Sequence, residues 1–184
     1  MPTKITIPFD KDQLAKLSAG DEVLITGYIY TARDVAHKRL CELIDTNKEL
    51  PLDLSDSIIY FAGPSPAAPG RVIGAAGPTT SYRMDAFSPK LIEKAGITGM
   101  IGKGSRSEEV IAAMKKNGAV YFAAIGGAGA LIAEKVKSAE IVCYEDLGPE
   151  AIRRLEVEDF PAVVAIDSTG RNLYETGPAE FVKF

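Results

Sequence analysis

Cysteine and histidine are scarce in this chain: its 184 residues include two cysteines, Cys41 and Cys143, and one histidine, His37. The cysteines lie far apart and form no CxxC pair. That argues against a disulfide framework and leaves too few thiolates for a metal cluster. Both read as small core residues, Cys41 in a helical pattern and Cys143 in a strand-like run. With a single histidine, proton transfer through a near-neutral side chain must use His37 or a less conventional group. Positive charge is not in surplus either, since 21 Lys+Arg against 25 Asp+Glu give a net charge of −4. This argues against a nucleic-acid partner but leaves room for a local cationic pocket. No apolar run approaches the ~20 residues of a membrane span. Residues 1–10 alternate like a strand and lack the apolar core of a signal peptide, so the cytoplasm is the default location. Nucleotide signatures are incomplete. Gly102-Lys103-Gly104-Ser105 lacks the GxxxxGK[ST] order, and Gly126-Gly127-Ala128-Gly129-Ala130 lacks GxGxxG.

What is present is an ordinary globular composition, 46% hydrophobic and 25% charged. At ~100–200 residues per domain, 1–184 reads as a single domain. Strands are expected at 5–7, 21–30 and 57–62, with a helix after Thr31, which can cap it. Residues 63–70 carry three prolines and two glycines and form a surface loop. From Arg71 onward strands (71–76, 98–101, 119–124, 139–144, 161–166) alternate with helices (84–95, 106–117, 127–137, 148–157). This rhythm predicts an α/β fold with a mixed, largely parallel sheet. The strand-rich first third adds a further layer, giving a three-layer β/β/α sandwich. The acidic run Glu156-Val157-Glu158-Asp159-Phe160-Pro161 reads as a polar turn anchored by Phe160.

Two segments carry the chemistry. Gly77-Pro78-Thr79-Thr80-Ser81-Tyr82-Arg83-Met84-Asp85 joins a Gly-Pro turn, three hydroxyls and an arginine, and Gly102-Lys103-Gly104-Ser105-Arg106 follows about twenty residues later. Each comes after a short apolar run, so each sits where a strand hands over to a helix and exposes N–H groups at a sheet rim. A helix cap explains one hydroxyl but not three. Threonine is a poor base unless cations and N–H donors stabilise its alkoxide, and Arg83 and Lys103 are suitable cations. Arg33-Asp34-Val35-Ala36-His37 opens the first long helix after the strongest strand. Spacing puts Arg33 and His37 on one face, with Arg33 at the rim; a solvated first turn is the plainer explanation.

Together with Lys103-Gly104-Ser105-Arg106, Ile125-Gly126-Gly127-Ala128 and Val157-Glu158-Asp159-Phe160-Pro161-Ala162, these segments resemble the β subunit, equivalently the C-terminal domain, of class I iron–sulfur fumarases and L-tartrate dehydratases. The resemblance runs from about 20 to 170. It implies a swivelling β/β/α domain and a hydro-lyase active only with an α subunit, hence a hetero-oligomer. It further implies that the α subunit carries the [4Fe–4S] cluster, whose open iron binds substrate as a Lewis acid. Arg33, Arg83 and Lys103 would bind the carboxylates of a small dicarboxylate. Thr79 would remove the proton next to a carboxylate, aided by an Asp of the α partner. Asp34, His37, Thr80 and Gly104 would support them. Fumarate hydration to malate is the first expectation and tartrate dehydration the second. Ser81-Tyr82 stands where many relatives have Ala-Gly. A non-enzymatic module that binds an anion or a partner is the reading from another class.

Overall fold

Strand β3 (Ile58–Tyr60) is buried on both faces, and this organises the interior. Ile58, Tyr60 and Ala62 enter one hydrophobic cluster, while Ile59 and Phe61 enter another. The same alternation splits Met100 from Ile101 in β4 (Gly99–Gly102), and Tyr121 from Val120 and Phe122 in β5 (Val120–Ala123). A strand covered on both sides needs apolar residues at nearly every position, which is why these segments read as continuous apolar runs. The first cluster is closed by β1 (Thr3–Thr6), β2 (Glu22–Thr31), β7 (Ile152–Ile166) and the short helix α1 (Lys11–Lys16). The second is closed by α2 (Asp34–Asp45) and α4 (Glu108–Asn117), with Leu91, Ile92 and Ala95 from the turn that follows α3 (Ser88–Lys90). The computed structural model describes residues 1–9 and 11–181; residue 10 and residues 182–184 of the expected span lie outside them.

The seven strands of the described residues form one mixed sheet, in the order β1-β2-β3-β4-β5-β7-β6, where β6 is Val136–Cys143. β1 through β5 pair in parallel, and β7 runs antiparallel to β2, β5 and β6. Because β2 pairs with β7 as well as β3, the path β2-β3-β4-β5-β7 returns to β2. A bulge lets β7 serve these partners: Phe160 opposes Ile25 and Val157 opposes Gly27, which leaves Glu158 and Asp159 against Thr26. Gly27 lies at φ +128°, and a Cβ there would sit 2.8 Å from the Ile7 carbonyl oxygen, so only glycine fits.

Several expectations change. Residues 148–157 are not one helix: a short 3-10 segment (Glu145–Glu150) ends there, and Ile152 begins β7, whose residues Arg153 to Val157 pair with β2 on one side and β6 on the other. Ile152 and Leu155 stand three apart, which imitates helical spacing; pairing on both sides overrides it. The run 156–161 is bulged strand rather than a turn, though Phe160 is fully buried as expected. Residues 161–166 run antiparallel to β5. Segment 71–76 is irregular: Gly74 packs against Ser65 where a side chain would overlap its carbonyl, and Ala76 N–H donates to Gly129 O at 3.0 Å. Helix 84–95 is broken into a 3-10 turn (Ser81–Met84), α3 with its early proline, and a π-turn (Leu91–Ala95). Helix 127–137 shortens to α5 (Gly129–Ala133). Thr31 does not cap α2; its hydroxyl donates to Ala151 O at 3.4 Å, and Arg33 holds the cap position. No described helix is long and apolar enough to cross a membrane.

Candidate active site

Parallel pairing places the C-terminal ends of β2, β3, β4 and β5 along one rim. There β3 and β4 part, and residues 79–81 enter the gap. Thr79 N–H donates to Phe61 O at 2.7 Å, and Ser81 N–H donates to Lys103 O at 2.9 Å. Thr80 pairs with Lys103 as a parallel bridge. Gly102 makes this possible: a Cβ there would overlap Ser81 Oγ and lie 2.8 Å from the Phe61 ring. Tyr60 holds the approach to the gap, its phenol donating to Ala76 O. Thr79 Oγ1 donates to Phe61 O at 2.8 Å, so its proton is turned inward and its lone pairs remain for the rim.

On the β2 side, the chain leaves Thr31 and starts α2 within three residues. Asp34 Oδ2 accepts from Arg83 Nη2 at 2.9 Å, and Asp34 Oδ1 lies 3.8 Å from Arg33 Nε. Oδ1 is buried and makes no hydrogen bond among the described residues. Arg33 Nη1 contacts Glu150 at 3.0 Å, and its aliphatic stem crosses Gly63, where a Cβ would approach to 3.2 Å. One carboxylate therefore joins the two arginines, and a second pins Arg33 from the far side. Glu150 was not singled out from the sequence; it lies in the segment expected to be helical, and no local pattern marks it.

Lys103 extends toward the turn after β5, where a Cβ on Gly126 would lie 3.8 Å from its Nζ. Among the described residues Lys103 makes no ion pair. Gly104 adopts φ +83°, and its carbonyl accepts from Tyr121 Oη at 2.9 Å. Of the glycines at 126–129, Gly129 serves close packing, since a Cβ there would lie 2.8 Å from Gly77 N, and Gly127 takes φ +82° in open space.

His37 lies below the rim, fully buried, edge-on to the Phe61 ring at 5.4 Å. Nδ1–H donates to Arg33 O at 2.8 Å, and Nε2 has no hydrogen-bond partner among the described residues. Burial pulls its pKa from 6.5 down to about 4, the hydrogen bond to Arg33 opposing this. His37 is thus neutral and braces the Arg33 backbone. Arg106 is likewise structural. Its side chain is fully buried, with Nε donating to Asp85 at 2.7 Å and Nη2 to Ser88 at 2.7 Å. Asp85 also accepts from Ser107 N–H at 2.7 Å, which ties the two motif segments together.

Arg33, Asp34 and Arg83 are thus in direct contact, and Thr79, Thr80, Lys103 and Gly104 meet at the gap between β3 and β4. The cysteines do not join this site. Cys41 Sγ faces Phe87 O at 3.7 Å, and Cys143 ends β6. Burial pushes both thiols up to about 11, so neither is disposed to ligate as thiolate.

A sequence model described as Fumarase C-terminus matches residues 3–177. The chain belongs to the fumarase C-terminus family. It is 42% identical over 164 residues to the class I, anaerobic fumarate hydratase of Escherichia coli (strain K12), covering 89% of this chain and 30% of that protein. The aerobic class I fumarate hydratase of the same organism is 40% identical over 164 residues, with 89% and 30% covered. A Methanocaldococcus jannaschii protein, provisionally named L(+)-tartrate dehydratase subunit beta, is 42% identical over 170 residues, with 90% of this chain and 87% of that protein covered. This fumarase C-terminus chain therefore spans under a third of the fumarate hydratases it matches and most of the length of the subunit relative.

Proposed function

We propose that this chain is the β subunit of a two-subunit, [4Fe–4S]-dependent hydro-lyase of the cytoplasm, and that it reversibly hydrates fumarate to malate. What supports this reading is the rim itself, where Arg33, Arg83, Lys103 and Thr79 all lie just past the C-terminal ends of the parallel strands β2, β3 and β4 or in the segment that pairs with them, in a chain of this family. Two guanidiniums and an ammonium suit a dicarboxylate. They bind the aci-carboxylate of the carbanionic state more strongly than the ground state, which is what acceleration requires. Removal of one such contact lowers the rate by ~10²–10³.

Arg33, Arg83 and Lys103 bind the carboxylates. Asp34 and Glu150 set the two arginines before substrate arrives, and His37 braces the backbone at Arg33. Thr79 takes the proton from the carbon next to a carboxylate. Its hydrogen bond to Phe61 O favours the neutral hydroxyl, so Oγ1 must turn off that carbonyl and toward the cations to act as a base. Thr80 and Gly104 shape the turns that flank it. Cys41 and Cys143 do not fit a cluster, which supports a reading in which an α partner holds it and closes over the rim; bound there, it would supply Lewis-acid chemistry. No step of this chain's own residues depends on its geometry.

The chain folds as one swivelling β/β/α domain over 1–184 in this reading. Support comes from the two cores on opposite faces of β3 to β5, with strands covering one and helices the other. A second reading, the β subunit of an L-tartrate dehydratase, is favoured by the subunit relative that matches along most of its length. The test is co-expression with the α partner, anaerobic cluster reconstitution, and assay of malate, fumarate and L-tartrate. Turnover of malate and fumarate supports the first reading and turnover of tartrate the second. Inertness toward all three overturns both.

A further inference from the structure

The backbone of Lys103-Gly104 is held at all four of its polar groups. Lys103 N–H donates to Ser81 Oγ at 3.1 Å, and Lys103 O accepts from Ser81 N–H at 2.9 Å. Gly104 O accepts from Tyr121 Oη at 2.9 Å. With that phenol proton committed, the 2.8 Å contact between Ser81 Oγ and Tyr121 Oη must have Ser81 as donor. The fourth group comes from elsewhere. Gly104 N–H donates at 2.9 Å to the phenol oxygen of Tyr174, seventy residues on in α6 (Leu173–Phe181).

Tyr174 is delivered from a firm base. Asp167 Oδ1 accepts from Thr169 N–H at 3.0 Å and Arg171 N–H at 3.1 Å, which closes the turn before α6. Asn172, nearly fully buried, pairs back to Ile166 and accepts at Oδ1 from Tyr174 N–H at 3.1 Å. The ring of Tyr174 stays partly exposed, so this side chain reaches over the rim rather than filling the core.

We propose that Tyr174 is a positioning residue of the site: by accepting the Gly104 N–H it fixes the turn that aims the Lys103 ammonium at a substrate carboxylate. This rests on the reading of Lys103 as a carboxylate ligand. Without the phenol oxygen, Gly104 N–H turns to water, its left-handed conformation loosens, and the lysine samples more directions.

Tyr174→Phe keeps the ring and removes the acceptor. In the full chain, amide hydrogen exchange at Gly104 should quicken about tenfold or more, while exchange of the α6 amides Glu175 and Thr176 stays as in the parent. In the reconstituted pair, kcat/KM for malate should fall by about three- to tenfold, carried mainly by KM. In a Lys103→Ala background, Tyr174→Phe should change kcat/KM less than about twofold, because its effect passes through the lysine. Full multiplication of the two effects, or unchanged exchange at Gly104, overturns the proposal. A parent pair inert toward every dicarboxylate overturns the functional reading instead, and Gly104 exchange then decides alone whether Tyr174 holds the turn.

Discussion

Arg83 Nη2 donates to Asp34 Oδ2 at 2.9 Å, across the gap between the turn that follows Thr80 and the first turn of α2. The same carboxylate stands 3.8 Å from Arg33 Nε. Two neighbouring guanidiniums repel each other, and Asp34 relieves that repulsion while fixing their separation; in the proposed function both then face one dianionic substrate. The pair is partly exposed, so its share of fold stability is small.

Asp34→Asn should therefore separate geometry from stability. Stability to urea should change by under ~1 kcal/mol. kcat/KM of the reconstituted pair should fall by up to ~10²-fold as the arginines lose their set positions. Unchanged kinetics beside a large stability loss would make Asp34 a structural residue only.

Gly102 is the position where side-chain volume matters most. Gly102→Ala places a methyl on Ser81 Oγ and 2.8 Å from the Phe61 ring, so it should lower stability by ~1–3 kcal/mol. Adding Ser81→Ala removes one of the two obstructions. Urea unfolding of the double variant should then show less loss than the sum of the singles.

His37 predicts an acid limb in stability. Its pKa is 6.5 unfolded and about 4 folded, lowered chiefly by burial. Unfolding therefore takes up a proton between these values. The stability linked to neutral His37 is complete above pH 6.5 and is lost as pH falls toward 4, by about 3 kcal/mol in all. His37→Gln should flatten that limb of the urea-unfolding profile. An unchanged limb would assign it to carboxylates.

The isolated chain should be colourless and catalytically inert. Its two thiols are raised to about 11 by burial and do not meet. Iron near stoichiometry, or hydratase activity from the chain alone, would place the cluster here.

The rim was legible in the sequence because its residues sit where short apolar runs end. Val23 to Tyr30 announces β2, and Arg33 follows at once; Ile101 and Gly102 announce the end of β4, and Lys103 follows. Contacts between distant segments were not legible. Glu150 reaches Arg33 only through the turn before β7, and Tyr174 reaches Gly104 only because α6 folds back. The strand at Ile152 was misread because its two-sided pairing is tertiary, while its apolar spacing is local. The burial of His37 was hidden for the same reason: Phe61 and Phe87, which enclose it, arrive from other elements.

Thr79 carries the central claim, and solvent-deuterium exchange into C3 of malate by the reconstituted pair tests it most directly. Thr79→Ala should abolish that exchange while the variant still folds and binds substrate, and Thr79→Ser should retain part of it, since the hydroxyl survives. Exchange at the parent rate in Thr79→Ala would contradict the account and move the base to another group of the assembled enzyme.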